Sequence, residues 1–333
     1  MRADEISFVV QGAIDRKVSP LTGQPITQSC LERIRAHHPG AEVILSTWKG
    51  EDVRDLDFDK LVLNDDPGAW NAYRPGSEIK LDNTNRQIVS TRNGLREASR
   101  KYAAKLRSDV IFQGNSWMQY YGQFPARGSE WAVFQERVIT CSMWARDPRC
   151  PYTDQPLHPP DWMHIGLKED IELLWNIDLQ PEPESSQWFL NRSVNLPGAA
   201  DQDIRRFSPE QYLWRTLLMK FGKVNFEERG RNSEENIRLT EVTFANNLII
   251  LDLPQFPFVV DKYPPPVSPP YRYYCFIAHE QWKQLYHQYS EQRPLTAAIR
   301  KATDPTFYAK SAYMAMHGGL QAMRRMRQEP QST

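Results

Sequence analysis

The chain has 333 residues, 40% of them hydrophobic and 25% charged, with Lys plus Arg and Asp plus Glu both numbering 41. This is the balance of a soluble globular protein large enough for one big domain or two modest ones. A formal net charge of zero gives no whole-chain field for nonspecific nucleic-acid binding, so no nucleic-acid partner is expected.

Residues 6–10 are an apolar run ending in Gln11-Gly12, the pattern of a strand covered on both faces. Residues 27–38 suit a helix capped by Thr27, with Cys30, Ile34 and Ala36 along one side and Pro39-Gly40 as its stop. Residues 42–47 and 60–63 are two further strands, the second running into the turn formers Asn64, Asp65, Asp66, Pro67 and Gly68. A helix begins at Asn83 or Thr84. Ile88, Thr91, Leu95, Ala98 and Tyr102 fall at helical spacing, and Gly94 interrupts it at a cost of ~1 kcal/mol. Residues 105–112 then form a strand. The alternation of strands and helices predicts an open α/β sheet, in which ligands bind beyond the carboxyl ends of the strands.

Later segments are less regular. Residues 114–127 are aromatic and irregular, 138–140 a strand, 142–160 a polar loop rich in proline, and 168–175 a helix. Ser208-Pro209-Glu210 starts another helix, with serine as cap and proline in the first turn. Residues 242–251 hold strand material around Asn246-Asn247. The proline-rich stretch 264–270 reads as a connector, and residues 311–327 as a helix with a basic end. The expected division is 1–260 as the main domain, split into a nucleotide-binding half (1–113) and an acceptor-side half (114–260). Residues 261–333 follow as connector and helical extension.

Within residues 105–112, Lys105, Arg107 and Asp109 share one face of the predicted strand. Two cations and a carboxylate inside a sheet must be paired or hold a ligand. A cation pair suits a diphosphate, and a strand-end carboxylate suits a divalent metal bridging it. A salt-bridged edge strand is the alternative. Arg86 and Gln87 sit at a helix start, which favours phosphate. Asp65 and Asp66 suit a base or ribose hydroxyls, or are solvated turn carboxylates. Asp161, beside Trp162, and Glu210 are the candidates for proton chemistry, because an aromatic neighbour can raise a carboxyl pKa. Each could instead serve as a helix or turn group. Trp117, Tyr120 and Tyr121 form a sugar-stacking platform or simply core, and His164 reads as structural.

Familiar catalytic motifs are missing. Gln11-Gly12-Ala13-Ile14-Asp15 lacks G-x-G-x-x-G, and there is no P-loop, G-x-S-x-G or H-E-x-x-H segment. The cysteines, Cys30, Cys141, Cys150 and Cys275, form no C-x-x-C pair and read as reduced thiols of a cytosolic protein. Residues 1–5 lack the apolar core of a signal peptide, and no apolar run approaches the ~20 residues of a membrane span.

Residues 8–12, 39–48, 64–68, 85–91 and 105–109, then Asp161-Trp162, residues 166–168 and 209–212, together resemble the WavE lipopolysaccharide synthesis family of bacterial glycosyltransferase-like proteins. The resemblance spans roughly residues 5–255. It implies a glycosyltransferase-A-like fold and a role in building surface polysaccharide. Taken with the crevice residues, the expectation is a nucleotide-sugar donor bound by Gln11, Gly12, Asp65, Arg86, Gln87, Lys105, Arg107 and Asp109, Asp161 or Glu210 as catalytic base, and a glycan or lipid-linked glycan as acceptor. Asp109 corresponds to the metal-binding acid of that fold, with Mn²⁺ or Mg²⁺ as cofactor. Arg107 stands where a first aspartate is usual, a departure that leaves open a cation in the metal's place. The location implied is the cytoplasm, at the inner-membrane face if Arg324, Arg325 and Arg327 touch anionic lipid. A noncatalytic partner in a polysaccharide assembly complex is the alternative function. A nucleotidyltransferase, which would want more clustered carboxylates, is a third.

Overall fold

The computed structural model describes all residues except 151–154, 193–202, 226, 230–232, 262–274, 306, 314 and 317–333. The proline-rich connector and the basic run Arg324, Arg325 and Arg327 therefore lie outside the described residues.

The centre of the molecule is a seven-stranded sheet. Its strands are β1 (Ile6–Gln11), β2 (Glu42–Trp48), β3 (Lys60–Asn64), β6 (Tyr102–Arg107), β8 (Val138–Cys141), β9 (Met163–Leu167) and β10 (Leu248–Leu251). Their spatial order is β10-β8-β9-β6-β1-β2-β3. All pairings are parallel except those of β9, which runs antiparallel to both β6 and β8. Two short pairs flank the sheet: β4 (Trp70–Asn71) with β5 (Leu81–Asp82), and β7 (Ile111–Phe112) with β11 (Phe258–Val259). The expected open, mostly parallel α/β sheet flanked by helices is what forms, and β1, β2 and β6 are buried along nearly their whole length.

Helices α1 (Ile26–His37) and α2 (Thr84–Arg96) cover opposite faces. Phe8 packs on His38 just beyond α1, while its neighbour Val9 meets α2. The glycine in α2 has a packing reason. A Cβ at Gly94 would sit 2.5 Å from Val9 Cγ1 and 3.0 Å from Ser46 Cβ, so the close seat of α2 on β1 and β2 offsets the lost helix propensity. Helix α3 (Lys168–Trp175) continues that layer. Helices α4 (Pro209–Lys220), α5 (Glu234–Asn247), α6 (His279–Leu285) and α7 (Pro294–Thr303) follow, and residues 307–313 are helical as well. Helix α6 docks on α5 and β10: His279 Nδ1 lies 2.7 Å from the Ile250 carbonyl, and Trp282 Nε1 donates to Phe244 O at 3.3 Å.

Three local expectations need correction. The strand predicted over 105–112 is two, because β6 ends at Arg107 and the chain turns at Ser108-Asp109 before β7. Val242 to Asn247 are helical, not strand. Asn246 and Asn247 end α5, where their amides bond Val242 O and Thr243 O and their side-chain oxygens take Gly128 N and Val133 N. Thr27 does not cap α1; the helix starts after Pro25, and Thr27 Oγ1 accepts from Asp15 N at 2.8 Å.

His38 is buried against Phe8, Phe112 and Trp117, with ring centroids 4.7, 5.1 and 5.5 Å away. Neither ring nitrogen meets a hydrogen-bond partner. Burial pushes its pKa down to about 4, against an ordinary value near 6.5. The unfolded chain therefore binds this proton first as pH falls. The His38 contribution is fully present above about pH 6.5 and is lost as pH drops toward 4, reaching about 2 kcal/mol by pH 5. Urea unfolding of His38→Leu at pH 7.5 and 5 should show that loss removed. A loss as large as in the wild type would refute the assignment.

Candidate functional site

Because β9 runs against its neighbours, its entry residues Asp161 and Trp162 emerge at the same edge as the carboxyl ends of β1 and β6. The Arg107 amide donates to Trp162 O at 3.3 Å, which fixes that junction. The expected crevice edge thus gathers Gln11, Gly12, Arg107, Ser108, Asp109 and Asp161.

The β1 and β6 ends are stitched together. Ser108 N donates to Gln11 O at 2.9 Å, and Ser108 Oγ to Ala13 O at 2.6 Å. Gly12 has φ of 119°, and a Cβ there would lie 3.2 Å from Ser108 Oγ, so glycine fits both the backbone and the close approach. The Gln11 side chain turns to α2, where its Oε1 accepts from Ser90 Oγ at 2.7 Å. Arg107 and Asp109 form a fork: Nε to Oδ1 at 2.9 Å and Nη2 to Oδ2 at 2.5 Å. The Arg107 guanidinium also lies 5.5 Å from the Trp162 ring.

Lys105, fully buried, points to the α2–α3 face. Its ammonium donates to the Asp161 backbone carbonyl and lies 4.3 Å from the Trp175 ring centroid. Burial pushes its pKa down to about 7, against the pull of Asp161. The Asp161 carboxyl is buried as well. Burial and the nearby Glu210 raise its pKa, while Lys105, Arg107 and a hydrogen bond from Gln87 oppose the rise. Glu210 behaves in the opposite way. Although burial opposes ionisation, His158 holds its pKa down to about 2, and Arg205 assists. His158 Nε2 lies 3.2 Å from Glu210 Oε2, and Nδ1 lies 3.1 Å from the Trp144 carbonyl, so each ring nitrogen faces an oxygen acceptor. Two nearby carboxyls are thereby driven apart in proton affinity, the arrangement that separates a base from a fixed charge.

Other expected site residues fall elsewhere. Asp65 pairs with Lys49 at 2.8 Å on the exposed end of β3, three strand spacings (about 14 Å) from β6. Arg86 grips Asp66 with bonds of 2.7 and 2.6 Å, tying that loop to the first turn of α2. Of the α2 pair, only Gln87 reaches Asp161. Trp117, Tyr120 and Tyr121 make core contacts with Phe256, His279 and Tyr102 in turn. His164 is buried and driven well down by burial, its Nδ1 facing Trp175 Nε1 at 3.3 Å.

His158 and Arg205 were missed by motif reasoning. Each precedes an acid that was singled out, His158 by three residues and Arg205 by five, and that proximity was the available signal. Asp82, at 3.9 Å from Arg205, carried no such signal.

A divalent cation does not fit Asp109 as it is paired. Both carboxylate oxygens accept from Arg107, and among the described residues no three His, Cys, Asp or Glu side chains converge as a metal site. No helix among the described residues is long and apolar enough to cross a membrane.

The molecule is thus an α/β protein with a polar, charge-partitioned cluster at the carboxyl edge of a mixed sheet. The chain belongs to the WavE lipopolysaccharide synthesis family, whose model matches residues 6–316, and its role is in polysaccharide biosynthesis. No curated protein matches it. Among solved structures it is similar to a 4-diphosphocytidyl-2C-methyl-D-erythritol synthase from Anaerococcus prevotii, at 10% identity and TM-score 0.31. That match covers 72% of this chain and 97% of the other. It is also similar to HddC from Yersinia pseudotuberculosis, at 11% identity and TM-score 0.31, covering 65% and 99%. The same HddC complexed with GMP-PN matches at 10% identity and TM-score 0.28, covering 50% and 77%.

Proposed function

We propose that the protein is a glycosyltransferase that moves a sugar from a nucleotide-sugar donor onto a growing surface polysaccharide, either free glycan or lipid-linked. The observation that carries this reading is the Asp161–Glu210 pair, one acid raised and the other lowered, beside two cations at the sheet edge. In this reading Asp161 takes the proton of the acceptor hydroxyl as the new glycosidic bond forms, the role required if the anomeric centre inverts. Glu210, ionised on His158, keeps the local potential negative and so keeps Asp161 basic. Arg107 offsets the charge gathering on the departing diphosphate. Lys105 acts from behind by holding the Asp161 backbone. Gln11 and Gly12 shape the nucleoside side, and Asp65 would have to be reached across the sheet edge.

Where Mn²⁺ or Mg²⁺ to enter at Asp109, Arg107 would first have to turn away. Metal and guanidinium therefore make opposite predictions in a thermal-shift screen of nucleoside diphosphates and nucleotide sugars. With the cation in the metal's role, one base class stabilises the protein without Mn²⁺, and Arg107→Ala removes that shift. At a ligand concentration 100 times Kd the stabilisation is about 2.7 kcal/mol. A shift that needs both Mn²⁺ and Asp109 would restore the metal to the site. No shift with any nucleotide would sink the enzymatic reading in favour of a noncatalytic partner in the assembly complex.

A further inference from the structure

We propose that Cys150 and Cys275 are a built oxidation site, forming a reversible disulfide that fastens the loop after β8 to the segment entering α6. The two sulfurs lie 3.9 Å apart although 125 positions separate the residues in sequence. Backbone pairing brings them there. Arg146 and Phe276 form an antiparallel bridge, Ile277 N donates to Ala145 O at 2.7 Å, and Asp147 N donates to Cys275 O at 3.1 Å. The turn closed by Cys150 N on Asp147 O, at 3.0 Å, then folds Cys150 back over Cys275. Beneath them the buried Asp147 carboxylate accepts from Gln281 Nε2 at 2.9 Å and from the Lys310 ammonium, so the helices that follow share the same anchor.

A disulfide requires the sulfurs to close to about 2.05 Å, a distance that rotation of two short side chains can cover. Cys275 is half-buried and reachable by a small oxidant, whereas Cys150 is enclosed. The neighbouring sulfur and burial push the Cys275 thiol up, so the pair reacts slowly with any oxidant, peroxide included, and closes only where peroxide is plentiful. The other two cysteines have no such partner among the described residues: Cys30 Sγ faces Arg107 O and Cys141 Sγ faces Met143 O, both fully buried. With hydrogen peroxide as oxidant the step balances. The two thiols give up two protons and two electrons, the S–S bond forms, the O–O bond breaks, and two waters leave. The loop so fastened is the one that presents His158 to Glu210, since Arg146 N donates to His158 O at 3.0 Å. The site stands independently of the glycosyl-transfer reading.

The test uses the full chain treated with hydrogen peroxide, then alkylated and digested without reductant. The expected result is a linked Cys150–Cys275 peptide, an intact mass lower by about 2 Da, and reversal by dithiothreitol. Two of the four thiols remain titratable in denaturant. The oxidised wild type should also melt several degrees higher, because the cross-link restricts the unfolded chain, and Cys275→Ser should show no such rise. Sulfinic acid at Cys275 with Cys150 still a thiol would overturn the proposal. So would four unreacted thiols in native protein whose urea-unfolded form oxidises.

Discussion

Asp161→Asn is expected to lower kcat for sugar transfer by about two to four orders of magnitude, the usual worth of a positioned base. Donor-induced stabilisation should stay near the wild-type level, because the proposed function gives Arg107, not Asp161, the donor diphosphate. The same variant should not lose stability at neutral pH. The Asp161 carboxyl is raised in the folded state by burial and by Glu210, so its ionised form is disfavoured by folding. By linkage, its contribution to stability is present at low pH and fades as pH rises through the raised pKa. Asparagine cannot ionise and should therefore melt at or above the wild-type temperature near pH 7. Activity in the wild type should rise with pH through that same raised pKa, since the base works ionised. Single-turnover rates and melting curves on one preparation separate these claims. Wild-type turnover in Asp161→Asn would remove Asp161 from the chemistry whatever the melting curves show.

The parts of the fold that were legible are those dictated by local periodicity and caps. Strand β1, strand β2, helix α2 and helix α3 each carry an apolar pattern that matches their burial. The start of α4 follows from Ser208-Pro209-Glu210, and the Ser208 side chain does accept from Gln211 N, at 3.2 Å. Direction and tertiary pairing are not periodic signals. Nothing in residues 163–167 announces that β9 runs antiparallel, yet that reversal is what brings Asp161 to the edge beside Arg107. The Asn246-Asn247 pair was misleading for a similar reason. Asparagine suits turns by propensity, but here the Asn247 side-chain Oδ1 accepts from Val133 N, a partner 114 residues away. The charged triplet of Lys105, Arg107 and Asp109 stands out in the sequence because an apolar run carries it. Its members nonetheless divide between two environments, Lys105 behind the sheet against Trp175 and Arg107 paired with Asp109 at the edge, because β6 ends at Arg107 and the chain turns before Asp109.

Arg205→Met is expected to destabilise the protein by about 3 kcal/mol, the typical cost of removing one partner from an enclosed ion pair. Arg205 sits just before α4 and forks onto Asp203 at 3.0 and 2.7 Å. Asp203 is held down to about 2: burial opposes its ionisation, but Arg205 and Arg229 together outweigh it. Methionine would fill the volume and leave Asp203 to Arg229 alone, at 3.2 Å, with the Asp82 carboxylate losing its neighbour at 3.9 Å. The wild-type contribution of Asp203 is present above its unfolded pKa near 3.9 and is lost as pH falls toward 2. In Arg205→Met the folded-state pKa of Asp203 rises, so this contribution should be smaller and its loss on acidification complete at a higher pH. The double variant Asp203→Asn/Arg205→Met should cost less than the sum of the single changes, because the interaction between the two side chains is then lost once rather than counted twice. Additive costs in urea unfolding would mean that Arg205 stabilises through its packing rather than through this pair. Since Arg205 also helps hold Glu210 ionised, the single variant should raise the Glu210 pKa and with it weaken the electrostatic contrast on which Asp161 depends.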